Sequence, residues 1–469
     1  MNDEKPTADD PVAEPVENPG ENPGGVIVDD PTEPDGGSPA ATPAPARIPA
    51  DVNPWAFVGT DLCYLIAAIA TAPLWLARMA WTGKLRTDWG ARLGEGEIVP
   101  HVGCPRILIH AVSVGEVNAI RGLVERLARD RMGVEVVVSA TTDTGFARAK
   151  ELFGGRHEVV RTPFDFTSAV RGWFDRISPD LLVLVELELW PNMTRLAAAR
   201  RIPVVVVNGR LSDRSIARYR RFRRLVRPMF GRTSMVVAQN KTYAERFSEL
   251  GAPEVIVGGN MKWDSVALVD EVPGARRLAE EFGIPKDVPL VVAGSTEPGE
   301  EELLRDALPD GARLVIAPRK PEWFDGVAAR LPGCVRRSRR EPGGADARHY
   351  LLDTIGELRE AYALADVVVV GRSFGRLYGS DPIEPASLGK PVVIGPRVAD
   401  FRDVVEILVR MKAARQVGRV ELGATLRELL DNPQLRLEMG FRGRETVRRQ
   451  QGSTLRTADI LLAMFAGHG

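Results

Sequence analysis

From residue 100 onward the chain alternates short apolar runs with stretches in which apolar positions recur at helical spacing. The runs at 106–109, 134–139, 159–161, 181–185, 204–208 and 235–238 predict strands, and 116–129, 144–153, 167–177, 191–200 and 241–250 predict the helices between them. The pattern pauses at 270–273. It resumes with strands at 290–293, 313–317, 350–352, 367–370 and 392–394 and helices at 300–307, 322–331, 355–363 and 383–388, and residues 422–465 read as mostly helical. Strands separated by helices in this way build βαβ units and a parallel sheet. The expectation is an α/β protein of two doubly wound, Rossmann-like domains, 100–272 and 273–469, facing a central cleft.

A different pattern precedes them. No charged residue falls between Leu62 and Ala77, and 55–60 is also mostly apolar, with Asp61 separating the two stretches. Trp55, Trp75 and Trp81 flank the run as interfacial anchors do, and Arg78, Lys84, Arg86 and Arg92 follow it, which places the next domain on the cytoplasmic side. The uncharged run is shorter than the ~20 residues of a full span. Segment 54–99 therefore either spans a membrane with Asp61 included, lies in the interface as an anchor, or is a buried core helix. A cleaved signal peptide would begin nearer Met1 and have its basic residues in front.

Charge changes the picture only at the N-terminus. Residues 1–50 carry eleven acids against Lys5 and Arg47, with many Pro and Gly, so 1–53 reads as a disordered tail. The formal net charge of −1 offers no global field toward nucleic acid. Cys63, Cys104 and Cys334 show no paired spacing and histidine is scarce, so no metal site is expected and a reducing compartment fits.

Candidate chemistry collects at strand ends. Strand 106–109 runs through His110-Ala111-Val112-Ser113-Val114-Gly115 into Glu116, where a helix begins. Ligands of open α/β sheets sit at that rim, and a carboxylate there suits a general base, although a helix-start carboxylate can also serve only the macrodipole. In the second half, Gly294-Ser295-Thr296 precedes a helix start that suits an anion. Arg319 and Lys320 end strand 313–317 and suit a phosphate. Asp353-Thr354-Ile355-Gly356-Glu357 follows strand 350–352, where Thr354 and Glu357 form a candidate capping box. Gly371-Arg372-Ser373-Phe374 and Gly379-Ser380-Asp381-Pro382-Ile383-Glu384-Pro385 lead into a helix whose N–H groups suit a phosphate, with Glu384 placed to accept from ribose hydroxyls.

These residues resemble the Kdo (3-deoxy-D-manno-octulosonic acid) transferase family, lipopolysaccharide-building glycosyltransferases of GT-B fold. The resemblance spans about residues 60–465. It rests on His110–Glu116, Thr162-Pro163-Phe164-Asp165, Glu186-Leu187-Glu188-Leu189-Trp190-Pro191-Asn192, Asn208-Gly209-Arg210-Leu211-Ser212, Gly259-Asn260-Met261-Lys262-Trp263-Asp264 and the second-half motifs. It implies inverting, metal-independent transfer of Kdo from CMP-Kdo to the 6-hydroxyl of a lipid A precursor on the cytoplasmic face of the inner membrane, with no cofactor beyond the donor. Glu116 is then the base, and Glu188 and Lys262 stabilise the transition state. CMP is contacted by Pro318, Arg319, Ile355, Gly356, Glu357, Asp381, Pro382, Ile383 and Glu384. Lys320, Glu297, Arg372 and the Ser380-Asp381 pair depart from the family's usual residues. The alternatives are a GT-B transferase or epimerase using another nucleotide sugar, or a non-catalytic envelope protein.

Overall fold

A computed structural model of the chain describes residues 54–81, 88–131 and 133–466. The expected tail at 1–53 and the Lys84 and Arg86 flank of the apolar segment lie outside the described residues. Among these residues, two seven-stranded sheets carry the fold, each parallel throughout. The first consists of β1 (Arg106–Ala111), β2 (Glu135–Ala140), β3 (Glu158–Arg161), β4 (Leu181–Val185), β5 (Val204–Gly209), β6 (Met235–Ala238) and β7 (Val255–Val257), in the order β3-β2-β1-β4-β5-β6-β7. The second consists of β8 (Leu290–Thr296), β9 (Arg313–Pro318), β10 (Val335–Arg336), β11 (His349–Leu351), β12 (Val367–Val370), β13 (Val392–Ile394) and β14 (Ala414–Gln416), in the order β10-β11-β9-β8-β12-β13-β14.

Apolar runs rather than alternating patterns mark the central strands because both faces of a parallel sheet are covered. Ile107, Ile109, Val136, Val138, Val183 and Val185 point into one core layer, and Leu108, Val137, Leu182 and Leu184 into the opposite one. The second sheet divides in the same way, with Val292, Val315 and Val368 on one side and Val291, Leu314 and Val369 on the other. Three strands are not among those the pattern predicts: β7, β10 and β14. Each is at most three residues long and lies at a sheet edge. An edge strand has one neighbour and partial cover, so it needs no continuous apolar run.

The C-terminal helices were expected with the second domain, but the last one crosses back. In helix Ser453–Ala466, Ala458, Leu461 and Leu462 join the core of the first sheet. Asp264 anchors the crossing by accepting from the backbone N–H groups of Gly452 and Thr454, both at 2.6 Å.

Helix Pro54–Trp81 contains a 23-residue stretch, Trp55–Ala77, long and apolar enough to cross a membrane by length and composition. Val58, Leu62, Leu65 and Ile69 along it are exposed, which excludes a buried core helix. Asp61 is not stranded in this apolar surface. Its carboxylate accepts from the Thr167 N–H at 3.0 Å and from Asn192 Nδ2 at 2.8 Å, while the Tyr64 hydroxyl donates to Asp165 at 2.9 Å.

Candidate active site

Each sheet reverses its strand order once, between β1 and β4 in the first and between β8 and β12 in the second. Connections leave the two strands toward opposite faces there, which opens a crevice at the carboxyl ends. After β1, Ser113 caps helix Val114–Ala119 by accepting from the Glu116 N–H. Glu116 is thereby held in the first turn, and its carboxylate accepts from the Val112 N–H and from Ser113 Oγ, both at 2.8 Å. His110, in the same motif, faces inward. It is fully buried, bonded to Ser139 and Thr162, and burial lowers its pKa to about 4, so it is neutral and structural.

After β4 the chain turns through Glu186, which takes a left-handed φ of +60°. Two residues on, the Glu188 carboxylate accepts from Trp190 Nε1 at 3.0 Å. Burial, then the charges of Glu116 and Glu186, push Glu188 up to about 7. Burial also raises Glu116 above the usual carboxylate range, with Glu186 adding to the effect and the Val112 bond, Ser113 and Lys262 opposing it. Lys262 Nζ lies 3.6 Å from the Glu186 carboxylate and 5.6 Å from the centre of the Phe401 ring. Two motifs far apart in sequence place it. Asn208 Oδ1 accepts from the Met261 N–H at 3.1 Å, and Asn260 Oδ1 accepts from the Lys262 N–H at 3.0 Å. Arg210, Asn260, Lys262, Phe401 and Asp403 line a small cavity between the two sheets' halves of the protein.

On the second sheet's side, Asp381 Oδ1 accepts from the Ile383 N–H at 2.9 Å. That N–H was expected to serve a phosphate; in this structure the aspartate holds it. Burial raises Asp381 to about 6, with Glu384 adding and Lys262 opposing. Glu384 lies 3.4 Å from Arg359. Arg319 is exposed beyond β9 and makes no ion pair among the described residues. Its charge reaches the buried Tyr362 phenol, which burial, Glu384 and Asp381 all push up. Gly294 is required here, because a Cβ on it would collide with the Tyr362 hydroxyl. Pro318, Pro382 and Ile383 are buried behind these groups.

The expected capping box at Thr354 does not form. Gly356 takes a φ of +97°, so the helix starts only at Leu358 with Glu357 as its cap. Glu357 instead accepts from Thr354 Oγ1 and from Arg337 at 2.8 Å, and Ile355 is exposed. Among the described residues no interaction joins Ile355, Gly356 or Glu357 directly to Asp381–Glu384. Lys320, one of the departures, lies 3.3 Å from Glu322 and stacks over Trp323. Another, Glu297, is buried and accepts from the Leu377 N–H at 3.2 Å.

The structure therefore gathers Glu116, Glu186 and Glu188 on one lobe, sets Lys262 between Glu186 and Phe401 of the other, and groups Asp381, Glu384, Arg319 and Tyr362 within electrostatic reach on that second lobe. Sequence reasoning missed Glu186 as the partner of Lys262, and it missed Tyr362 and Arg359. It also missed Glu300, whose carboxylate accepts from the N–H groups of Glu297, Arg372, Ser373 and Phe374 and so shapes the loop after β12. Glu186 was visible inside its motif; the role of Glu300 had no signal, since three of its four partners lie some 70 residues away. Among the described residues, no group of three or more His, Cys, Asp or Glu is placed to hold a metal ion.

The family profile described as 3-deoxy-D-manno-octulosonic-acid transferase (kdotransferase) matches residues 87–265. A 3-deoxy-D-manno-octulosonic acid transferase of Bordetella pertussis is 31% identical over 428 residues, covering 85% of this chain and 98% of that protein. The chain belongs to this family. The transferase of Haemophilus influenzae is 30% identical over 381 residues, covering 77% of this chain and 88% of its own. This chain is accordingly a glycosyltransferase. Its GT-B fold is shared with the UDP-GlcNAc 2-epimerase from Neisseria meningitidis (TM-score 0.54, 13% identity, 76% of this chain and 99% of that one). It is shared also with MurG of Acinetobacter baumannii (TM-score 0.52, 15% identity, 77% of this chain and 100% of that one). In this transferase the two sheets are the two halves of that fold.

Proposed function

We propose that the enzyme moves Kdo from CMP-Kdo to the 6-hydroxyl of a lipid A precursor, with inversion at the anomeric carbon, at the cytoplasmic face of the inner membrane, and without a metal ion or a further cofactor. The observation that carries this reading is the Glu116–Glu188 pair at the rim of the first sheet, with Lys262 paired to the neighbouring Glu186 and its charge felt by Glu116. The two carboxyls repel, and burial raises Glu188 to about 7. Of the two, Glu116 is raised less, because the Val112 N–H and the Ser113 hydroxyl stabilise its charge, so it is the carboxylate suited to accept the proton of the attacking hydroxyl.

Lys262 is placed to neutralise the sugar carboxylate or the departing phosphate, and the unpaired Arg319 adds positive charge on the donor side. These cations supply the charge a metal would otherwise bring. Glu384 accepts from paired ribose hydroxyls once Arg359 gives way. Pro318, Pro382 and Ile383 were expected to touch the nucleotide, but they are buried, Ile383 completely, and so back the site without lining it, with Asp381 the residue whose charge a phosphate must tolerate. Its raised value of about 6 limits that penalty. Helix Pro54–Trp81 seats the enzyme on the bilayer that carries the lipid acceptor.

The test is incubation of purified enzyme with CMP-Kdo and a lipid A precursor, read by mass spectrometry. Wild type yields the Kdo-bearing lipid. Glu116→Gln yields none but still binds CMP, because Glu116 lies on the opposite lobe from the nucleotide. A Glu116→Gln enzyme that retains transfer removes the base. The Ser380-Asp381 pair supports one competing reading, a different nucleotide. Thermal-shift titration with CMP and UDP separates the two, and a preference for UDP overturns the donor named here.

A further inference from the structure

Helices Asp213–Arg221 and Arg223–Phe230 carry seven arginines against one acid, Asp213. Asp213 is already engaged by Arg246 and lies 3.9 Å from Arg402, and Arg220 forms a two-pronged pair with Glu249 at 2.9 and 2.8 Å. The remaining six, Arg214, Arg218, Arg221, Arg223, Arg224 and Arg227, are all exposed and make no ion pair among the described residues. Ile216, Met229 and Phe230 face the core, whereas Phe222 and Leu225 among the arginines are 53% and 78% exposed.

An ordinary solvated surface intersperses both signs of charge. Six unpaired cations on two adjoining helices repel one another, and bare aromatic and aliphatic side chains between them gain nothing from water. A surface that offers phosphates above an apolar layer satisfies both features, since arginine takes phosphate with a planar fork and an interfacial helix buries its apolar side chains.

The location narrows the partner. Helix Pro191–Ala199 packs against both the apolar helix Pro54–Trp81 and the arginine-rich helix Arg223–Phe230. Phe57 of the first and Val226 of the second pack on the same core layer. Arg195, from the helix between them, donates to the Ala56 carbonyl at 3.0 Å. It lies near enough to Arg232 that its charge adds to burial in lowering Arg232 to about 10. The arginine patch thus lies one helix away from the one helix among the described residues whose exposed face is long and apolar enough for a membrane.

We propose that helices Asp213–Arg221 and Arg223–Phe230 form a binding surface for acidic phospholipids. It seats the protein on an anionic bilayer beside the apolar helix, with the six arginines on headgroup phosphates and Phe222 and Leu225 in the interface. The inference depends on no assignment of donor or acceptor, because its readout is lipid partition and not transfer.

The experiment is flotation of the full chain with vesicles of phosphatidylcholine alone and of phosphatidylcholine mixed with phosphatidylglycerol. Wild type favours the mixed vesicles and loses that preference as salt rises. With about 1 kcal/mol per basic residue at such a surface, the triple variant Arg221→Gln/Arg223→Gln/Arg224→Gln loses on the order of 100-fold in partition to mixed vesicles. Its binding to phosphatidylcholine, which reports the apolar helix, stays close to wild type. The matching triple Arg→Lys variant keeps its preference for the mixed vesicles, which shows that charge and not a disturbed fold accounts for the loss. The proposal is overturned if wild type does not distinguish the two vesicles, if the Gln variant binds mixed vesicles as wild type does, or if the Lys variant loses binding to the same degree as the Gln variant.

Discussion

Glu188 keeps its proton up to about pH 7 because it is partly buried with Glu116 and Glu186 beside it. Glu116 feels the same effects more weakly, since the Val112 N–H and the Ser113 hydroxyl stabilise its charge. Glu188→Gln replaces a group that is already neutral where Glu116 titrates, so the acid limb of the kcat/KM profile is expected to stay in place; a limb that moves to lower pH would show that Glu188 carries charge there. The substitution also has a stability signature. Between the ordinary carboxylate value and about 7, the folded state holds a Glu188 proton that the unfolded chain has released. Stability therefore falls as pH rises through that window. Relative to wild type, Glu188→Gln gains stability from pH 5 to pH 8, by about 1 kcal/mol after allowance for solvent screening. Denaturant titrations at the two pH values measure it. The same scale explains Glu186, whose left-handed backbone aims its carboxylate at Lys262.

Among the elements, the loop after β12 is the most informative. It holds no regular structure between Gly371 and Pro382, and its shape comes from a carboxylate on another helix. Glu300, first residue of helix Glu300–Ala307, accepts from Arg372 N–H at 2.7 Å and from Ser373 and Phe374 N–H at 2.9 Å. Removing it strands buried N–H groups, each at a cost of ~1 kcal/mol or more. Glu300→Ala is expected to destabilise the protein by about 3 kcal/mol in denaturant unfolding and to weaken nucleotide binding in the same titration, because the loop leads directly into Asp381–Glu384. Unchanged stability would show that water replaces the carboxylate without loss.

In the whole molecule the two sheets are joined in two ways. One is at the cleft, where Lys262 reaches Phe401, and the Tyr243 hydroxyl donates to Asp403 at 2.7 Å. The other is the last helix, which leaves the second sheet's helices and packs on the first sheet's core. Gln451 Nε2 steadies the crossing by donating to the Trp263 and Val266 carbonyls at 3.0 and 2.8 Å. Asp264 caps the start of that helix, and Asp264→Ala is expected to cost about 2 kcal/mol. Hydrogen exchange provides the check. Amides of residues 453–466 should exchange faster in the variant, while those of β1 and β4 keep their protection. Uniform loss across both sheets would mean that the helix and the first lobe unfold as one unit.

The sequence by itself determined the central strands, the helices between them, the two-part α/β architecture and most of the candidate groups. Two-sided burial writes a continuous apolar run into strands such as β4 and β12, and strand-to-helix turns write Gly, Ser and carboxylates at their ends. Only the tertiary structure decided the rest. Edge strands β7, β10 and β14 form because a neighbour offers open hydrogen-bonding groups, which no local run records. Glu186 meets Lys262, Glu300 meets residues 372–374, and Asp61 meets Asn192 across separations at which a chain carries no local trace of its partner. Gly356 moved a helix start that spacing alone had put earlier, and Asp381 took an N–H that a phosphate was expected to hold. The return of the last helix to the first sheet is of the same kind. Its apolar face specifies burial, but which of two cores buries it depends on where the chain arrives in space.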